Sequence, residues 1–474
     1  MTALLRSLHA SAAGWLLAAC GAAFAAAPAV TDALLAPLES AYLKAVTPGA
    51  DAAWHRDLFR TVLERVERSH AQEVDLSRFT AAALNTLEPL APQSGEPGQV
   101  FAKAINAALA TLDPYSRYLD AEAAKHHRST MTGSFGGLGL QVEMVDGLVR
   151  VVAPIPNTPA ARAGLQSGDF IVGFDDRPTQ GLTLAEAVSF MRGEPGTWIS
   201  LMIRRAGQDD TFTVSLVREV IRRDPVRWSM EGDVLVLRLA IFTGGAAGAL
   251  DKAIVEATAA ATPRAIVLDL RGNGGGLFRQ AVMTADAFLS AGEIVSIEGR
   301  TNFRRRNWAA NTGERLEGVP MVVLIDGRTA SAAELVAAAL QENGRATVIG
   351  RRSFGKGSVQ SMVSLGEDKG ALRLTTALYR GPSGRTVQRT GVGPDIELLP
   401  DQAAASGSRR READRAHALQ GAEEPPPPKA RVEESRCAPE KASDAALACA
   451  LAFIDAGGLE AFLAAVEPEQ PPTH

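Results

Sequence analysis

Met321-Val322-Val323-Leu324-Ile325-Asp326-Gly327-Arg328-Thr329-Ala330-Ser331-Ala332-Ala333-Glu334 is the stretch on which the fold of this chain turns. The unbroken apolar run 321–325, closed by Asp-Gly, fits a short strand buried on both faces. Leu335, Val336, Ala339 and Leu340 follow at helical spacing. Ser331 therefore opens a helix directly after a strand. One reading of Ser331-x-x-Glu334 is a capping box, because serine is a preferred N-cap. The other is chemical. A serine here has the N–H of Ala332 and the positive end of the helix dipole beside it, and both favour a developing negative charge.

Working outward, Ala265–Leu270 and Thr347–Ile349 are further short apolar runs, and helical pieces lie between them. Residues 222–400 thus read as an α/β layer. Downstream, Ser353-Phe354-Gly355-Lys356-Gly357-Ser358-Val359-Gln360 supplies a second chemical group. A neutral lysine can take a serine's proton, but a free lysine has a pKa of about 10.4 and must be desolvated to do so near neutrality. Gly350-x-x-x-x-Gly355-Lys356 also nearly spells a phosphate-binding loop. That reading fails twice. Gly357 stands where a hydroxyl should ligate magnesium, and Val359, Ser361 and Val363 alternate as a strand where a helix is required. Upstream, Asp269-Leu270-Arg271-Gly272-Asn273-Gly274-Gly275-Gly276-Leu277 leaves a strand through glycines, a turn that can offer backbone donors to a substrate carbonyl or simply redirect the chain.

The histidines, at 9, 55, 70, 126, 127, 417 and 474, belong to none of these motifs. A Ser-His-Asp arrangement would need one brought in from the helical region, His126 or His127 first, with no local signature for it, and no His/Cys cluster has zinc spacing. The chain has 474 residues, 46% of them hydrophobic and 22% charged, which is enough for several cores. A net charge of −5 gives no basic face for nucleic acid. The runs Arg304–Arg306 and Arg409–Arg411 read as solvated loops.

At the start, Arg6 and His9 precede an apolar stretch, Ala10–Ala27, that is short for a membrane span. Ala23-Phe24-Ala25 fits a cleavage site, so residues 1–25 read as a signal peptide and the mature chain begins near Ala26. A lipobox reading of Leu17–Gly21 competes and would make Cys20 a lipid anchor. Residues 26–131 form a helical region, in which Leu58, Val62, Leu63 and Val66 make a core stripe. It ends at Leu112-Asp113-Pro114-Tyr115-Ser116-Arg117-Tyr118-Leu119.

Residues 132–221 change to glycine-rich and strand-like, with runs at 148–152, 170–174, 199–204 and 211–216 and helical pieces at 159–163 and 184–191. Residues 401–436, with charge runs and Pro425–Pro428, read as a disordered or extended linker. Residues 437–474 form a helical segment interrupted at Gly457-Gly458. Cys437 and Cys449 could pair in an oxidising compartment or remain as two thiols.

Taken in order, these motifs resemble the carboxyl-terminal processing proteases, the tail-specific Ser-Lys peptidases of family S41. The likeness runs from about residue 75 to Ile396. It takes in Leu-Asp-Pro-Tyr, Asp-Leu-Arg-x-Asn-x-Gly-Gly, the serine and lysine segments, Leu374-Thr375-Thr376-Ala377 and Gly393-Pro394-Asp395-Ile396. The middle region resembles a circularly permuted PDZ domain, through Gly137-Leu138-Gly139-Leu140 and Ala163-Gly164-Leu165-Gln166-Ser167-Gly168-Asp169.

The resemblance implies a crotonase-like (ClpP-like) α/β protease core with a helical N-terminal region and an inserted PDZ domain. It implies Ser331 as nucleophile, Lys356 as general base, Gln360 as its orienting partner, and Ala332 with Gly276 (or else Gly275) as oxyanion hole. Gly137–Leu140 would hold a peptide carboxylate, and Arg192 would couple peptide binding to the active site. The substrates would be proteins with exposed C-termini, in the periplasm, with no metal or cofactor. An activating adaptor and a homo-oligomer built through the N-terminal helices belong to the same expectation. Ala333 stands where the family often has serine. A PDZ-led adaptor with an inactive or partner-dependent protease domain is the competing reading, and an intact Ser331, Lys356 and Gln360 speaks against it.

Overall fold

The structure is a computed structural model. It describes residues 30–466, apart from 48–51, 94, 132–133, 209, 223, 260, 301–305, 367, 401–410, 422–423 and 439–441. The expected signal peptide and Cys20 lie outside the described residues.

The core is a seven-stranded sheet in the order Val226–Glu231, Val234–Leu239, Ala265–Asp269, Met321–Ile325, Thr347–Gly350, Ile396–Leu399, Ala430–Glu433. The first pair is antiparallel and every later pair is parallel. Side chains alternate across a strand, so an apolar run serves two faces at once. Leu235, Leu237, Ile266, Leu268, Val323 and Val348 pack against the helices Ala246–Ala257, Phe278–Asp286 and Ala332–Glu342. Val234, Val236, Val267, Val322, Leu324 and Ile349 face the C-terminal helices Ala445–Ala456 and Leu459–Val466. Both faces are dry, which is why these runs show no polar alternation.

A second sheet carries the lysine segment. Ala371–Arg380 pairs with Ser358–Ser364, Glu293–Glu298 and Arg117–Leu119, the last contributed by the N-terminal region. The expected stripe Leu58, Val62, Leu63 and Val66 is fully buried, in a cluster that extends onto Leu365, Leu372 and Leu374 of this sheet. The N-terminal region is therefore packed directly behind the sheet whose strand Ser358–Ser364 bears Gln360 and follows Lys356.

The inserted module is a six-stranded sheet, with Leu140–Val145 at one edge, and the helix Leu184–Met191. The expected helices and strands fall within a residue or two of their predicted limits. Within the glycine-rich stretch before Leu140, Ser134–Gly137 forms a strand with Glu219–Arg222. The chain enters and leaves the module side by side, and pairing the two crossings satisfies their backbone groups.

The linker expectation for 401–436 is corrected across its described part. Glu412–Asp414 forms a helical turn whose Glu412 is fully buried, and Ala430–Glu433 is the seventh strand of the core sheet. The core thus extends beyond residue 400. Proline and charge content predicted exposure, but edge-strand pairing and buried hydrogen bonds override composition here. A disulfide joins Cys437 to Cys449, with Cα atoms 4.8 Å apart, and ties this edge to the helix covering the sheet. No single helix among the described residues is long and apolar enough to cross a membrane.

Candidate active site

Ser331 sits where the strand Met321–Ile325 turns into the helix Ala332–Glu342. Its backbone has φ 57° and ψ −119°, a region that side-chain-bearing residues rarely occupy. In α/β-hydrolases a similarly sharp strand-to-helix turn exposes a nucleophilic serine. Here the neighbours enforce it. Thr329 Oγ1 donates to Leu270 O at 3.0 Å, Ala330 N–H to Asn273 O at 2.9 Å, and Gly272 N–H to Asp326 at 2.9 Å. The serine turn and the glycine turn are stitched together.

Glu334 unites the two chemical loops. It is fully buried and accepts from Ser331 N–H (2.7 Å), Lys356 N–H (2.8 Å), Gly355 N–H (2.6 Å) and the Ser353 hydroxyl (2.5 Å). Burial pushes its pKa up to about 7 against those hydrogen bonds. The Tyr379 hydroxyl lies 2.7 Å from both the Ser331 and the Lys356 carbonyl oxygens. Burial raises the Tyr379 pKa well above its usual value, so the phenol stays neutral and keeps its proton. The capping-box reading of Ser331-x-x-Glu334 and the chemical one are therefore not rivals. The acid of the box holds both segments.

Lys356 Nζ donates to Gln360 Oε1 at 2.5 Å and to Ser358 O at 3.0 Å, and lies 4.6 Å from the centre of the Tyr115 ring. Desolvation lowers its pKa to about 8, with Glu412 and Glu334 opposing the shift, Arg373 adding to it and Asp113 opposing it. A strand follows the lysine, as expected from the alternation after it. The arrangement supplies what the base chemistry requires, an amine dry enough to shed its proton near neutral pH.

In the glycine turn, Asn273 is fully buried, donates to Leu239 O at 2.9 Å and accepts the Gly275 N–H at 2.9 Å. The N–H groups of Gly276 and Ala332 meet no acceptor among the described residues. A Cβ on Gly275 would lie 2.8 Å from Ala330 O and 3.0 Å from Ala332 N, and one on Gly276 would lie 2.3 Å from Phe242 O. Both positions have φ beyond +90°, so only glycine lets the turn sit this close to the serine loop at 275 and to the Phe242 backbone at 276.

A cleft of about 740 Å³ separates the inserted module from the core. Gly137–Leu140, Met191 and Arg192 line one side, and Arg227 and Arg238 line the other. The Leu138 and Gly139 carbonyls are bound by the N–H groups of Ala160 and Ile155. Arg192 caps the helix Leu184–Met191 and is half-buried at the cleft.

His70 is engaged by Asp113 at 3.2 Å and by Gln72. Sequence reading gave no role to Glu412, whose carboxylate accepts the Tyr115 hydroxyl and, at 3.0 Å, Gln388 Nε2. It sits in a charge-rich stretch with no periodicity, and only the fold brings it to Tyr115. Tyr379 and Asn273 were equally silent, although Asn273 lies within a quoted motif.

Residues 233–398 match peptidase family S41, and residues 136–216 match the PDZ domain family. The chain is 48% identical over 305 residues to the carboxy-terminal-processing protease of Bartonella bacilliformis, covering 63% of this chain and 70% of that one. It is 35% identical over 294 residues to the carboxy-terminal processing protease CtpA of Bacillus subtilis, covering 61% and 62%. Among solved structures, the photosystem II D1 C-terminal processing protease aligns at 29% identity with a TM-score of 0.46, covering 73% and 92%. With a curated protease matched at this identity over more than two thirds of its length, and with the PDZ and peptidase matches nested as the fold nests them, the chain belongs to the carboxy-terminal processing proteases of peptidase family S41.

Proposed function

We propose that the protein is an exported Ser-Lys endopeptidase that cuts proteins at or near their C-termini. Ser331 attacks the scissile carbonyl while Lys356 takes its proton. The Oγ–C bond forms and the N–H groups of Ala332 and Gly276 hold the oxyanion. Lys356 then returns the proton to the leaving amine as the C–N bond breaks. Water, deprotonated by the same lysine, releases the acyl group and regenerates Ser331. Gln360 keeps the amine in place. The loop Gly137–Leu140 binds the substrate's terminal carboxylate, the substrate tail lies beside the edge strand Leu140–Val145, and Arg192 links that cleft to the site.

The observation that carries this reading is Lys356. It is half-buried, desolvation lowers its pKa to about 8, and its backbone is held with that of Ser331 on one Glu334 oxygen. A surface lysine in a glycine turn would have none of these features. Periplasmic export, lipid attachment at Cys20, an activating adaptor and self-association through the N-terminal helices rest on the sequence reading and travel with this proposal.

Casein cleavage by the mature chain from Ala26 tests it. Wild type should cut, and Ser331→Ala and Lys356→Ala should each remove activity without lowering the melting temperature. Cleavage that persists in Ser331→Ala rejects the nucleophile.

A further inference from the structure

Two conspicuous stretches, Leu112–Leu119 and Leu374–Ala377, have no part in the chemistry above, yet they meet behind the lysine. We propose that Asp113 and Thr375 are positioning residues that fix which end of the Gln360 amide faces Lys356. The proposal rests on the assignment of Lys356 as the base.

Asp113 is buried and accepts from His70 Nε2 (3.2 Å), the Ser116 hydroxyl (2.5 Å), the N–H groups of Tyr115 and Ser116, and Thr375 Oγ1 (3.0 Å). Burial alone would raise its pKa, but hydrogen bonds from His70, Ser116 and the backbone hold it below the usual carboxylate value. It is an acceptor only, so the single Thr375 proton is spent on it. Thr375 Oγ1 can then only accept from its other neighbour, Gln360 Nε2, at 3.3 Å. The same nitrogen donates to Ser358 Oγ at 3.0 Å. With its nitrogen end committed, Gln360 presents Oε1 to the lysine.

This orientation matters for the neutral amine. A neutral lysine has two N–H bonds and one lone pair. Gln360 Oε1 and Ser358 O take the two N–H bonds, which leaves the lone pair for the serine proton. A flipped amide would aim an N–H at that lone pair and quench the base. The pairing that allows this is irregular. A bulge after Val359 sets Gln360 opposite Thr375, skipping Thr376, and bulges commonly re-aim side chains beside active sites. The relay also crosses between regions, because Asp113 comes from the N-terminal region and Thr375 and Gln360 from the protease core.

The test compares Thr375→Val with Thr375→Ser in the mature chain, using casein cleavage over pH 6 to 10 and thermal melts. Valine keeps the shape and removes the hydroxyl. Glu412, Glu334, Arg373 and Asp113, the charged groups around Lys356, are all retained. Thr375→Val should lose about tenfold or more in kcat, within the range of general-base effects, and shift the pH–rate midpoint downward as the flipped amide stabilises the neutral amine. Thr375→Ser should restore both. Wild-type kcat and midpoint in Thr375→Val overturn the relay. So does a loss of activity that only follows the unfolded fraction while the midpoint stays fixed. Ser331→Ala and Lys356→Ala run alongside. Activity surviving in either overturns the dyad itself, whereas a failed relay leaves those two variants inactive.

Discussion

Ser331 and Lys356 donate their backbone N–H groups to the same oxygen of Glu334, at 2.7 and 2.8 Å. The two segments are thus held together by one buried carboxylate, and the Tyr379 hydroxyl bridges their carbonyl oxygens as well. Glu334→Gln replaces one carboxylate oxygen by a donor, which would face buried N–H or hydroxyl donors. Each buried donor left unpaired costs about 1–3 kcal/mol. We expect urea unfolding to show a loss in that range and casein cleavage to fall about tenfold or more, since small displacements of reacting groups are costly. Unchanged stability and kcat would show that the carboxylate is dispensable.

The pH dependence has a definite sign. As the proposed base Lys356 would act when neutral, and its pKa is lowered to about 8. Activity should therefore rise with pH through a midpoint near 8. The stability linkage has the same sign. The folded chain binds fewer protons at this lysine than the unfolded chain does between about pH 8 and the ordinary lysine value of about 10.4, so this group makes stability rise with pH across that window. A kcat/KM profile measured beside urea melts at the same pH values checks both, and a midpoint near 10 would contradict the desolvated base.

Glu412 opposes the lowering of the Lys356 pKa more than any other group around the amine. Glu412→Gln removes that charge and should move the activity midpoint below 8, giving a larger fraction of maximal activity at pH 7. A midpoint that stays or rises would show that the segment around Glu412 does not act on the base.

What could be read from sequence, and what could not, follows from the range of the interactions. The strand runs 265–270 and 321–325 and the turn into Ser331 are local, so periodicity and glycine placement revealed them. The bond from Lys356 to Gln360 spans only four residues, so one short motif holds both partners. Glu412 and Asp113 reach Lys356 only through tertiary structure, across separations that no local pattern encodes. The strand Ala430–Glu433 follows four prolines, and its pairing with Ile396–Leu399 depends on an open sheet edge. The disulfide was an open choice because sequence spacing does not say whether the fold brings the two Cα atoms within bonding range.

The disulfide between Cys437 and Cys449 should stabilise the C-terminal cover of the sheet. Closing a loop of this size constrains the unfolded chain by roughly 3 kcal/mol in the chain-entropy view. Cys437→Ser with Cys449→Ser should melt lower than wild type, and a reductant should lower wild type to the level of the variant while leaving the variant unmoved. Asp444, the N-cap of the helix that carries Cys449, is bound by Arg271 at 2.6 and 2.7 Å. Arg271 also holds Asp269, where the glycine turn begins. Loosening this helix should therefore reduce kcat as well as stability.

Gly139 separates recognition from chemistry. Its φ is +78°, and a Cβ there would lie 2.2 Å from the Thr158 side chain, so alanine is strained in both backbone and packing. The left-handed backbone alone costs about 1–2 kcal/mol, equivalent to about tenfold in affinity. The loop lines the cleft, whereas Ser331, Lys356 and Glu334 belong to the core. Gly139→Ala should raise KM about tenfold for a substrate with a free C-terminal tail. It should scarcely change cleavage of the same substrate with an amidated tail, which offers no carboxylate to bind. Equal losses on both substrates would mean that the loop supports the fold or the active site and not the capture of a terminus.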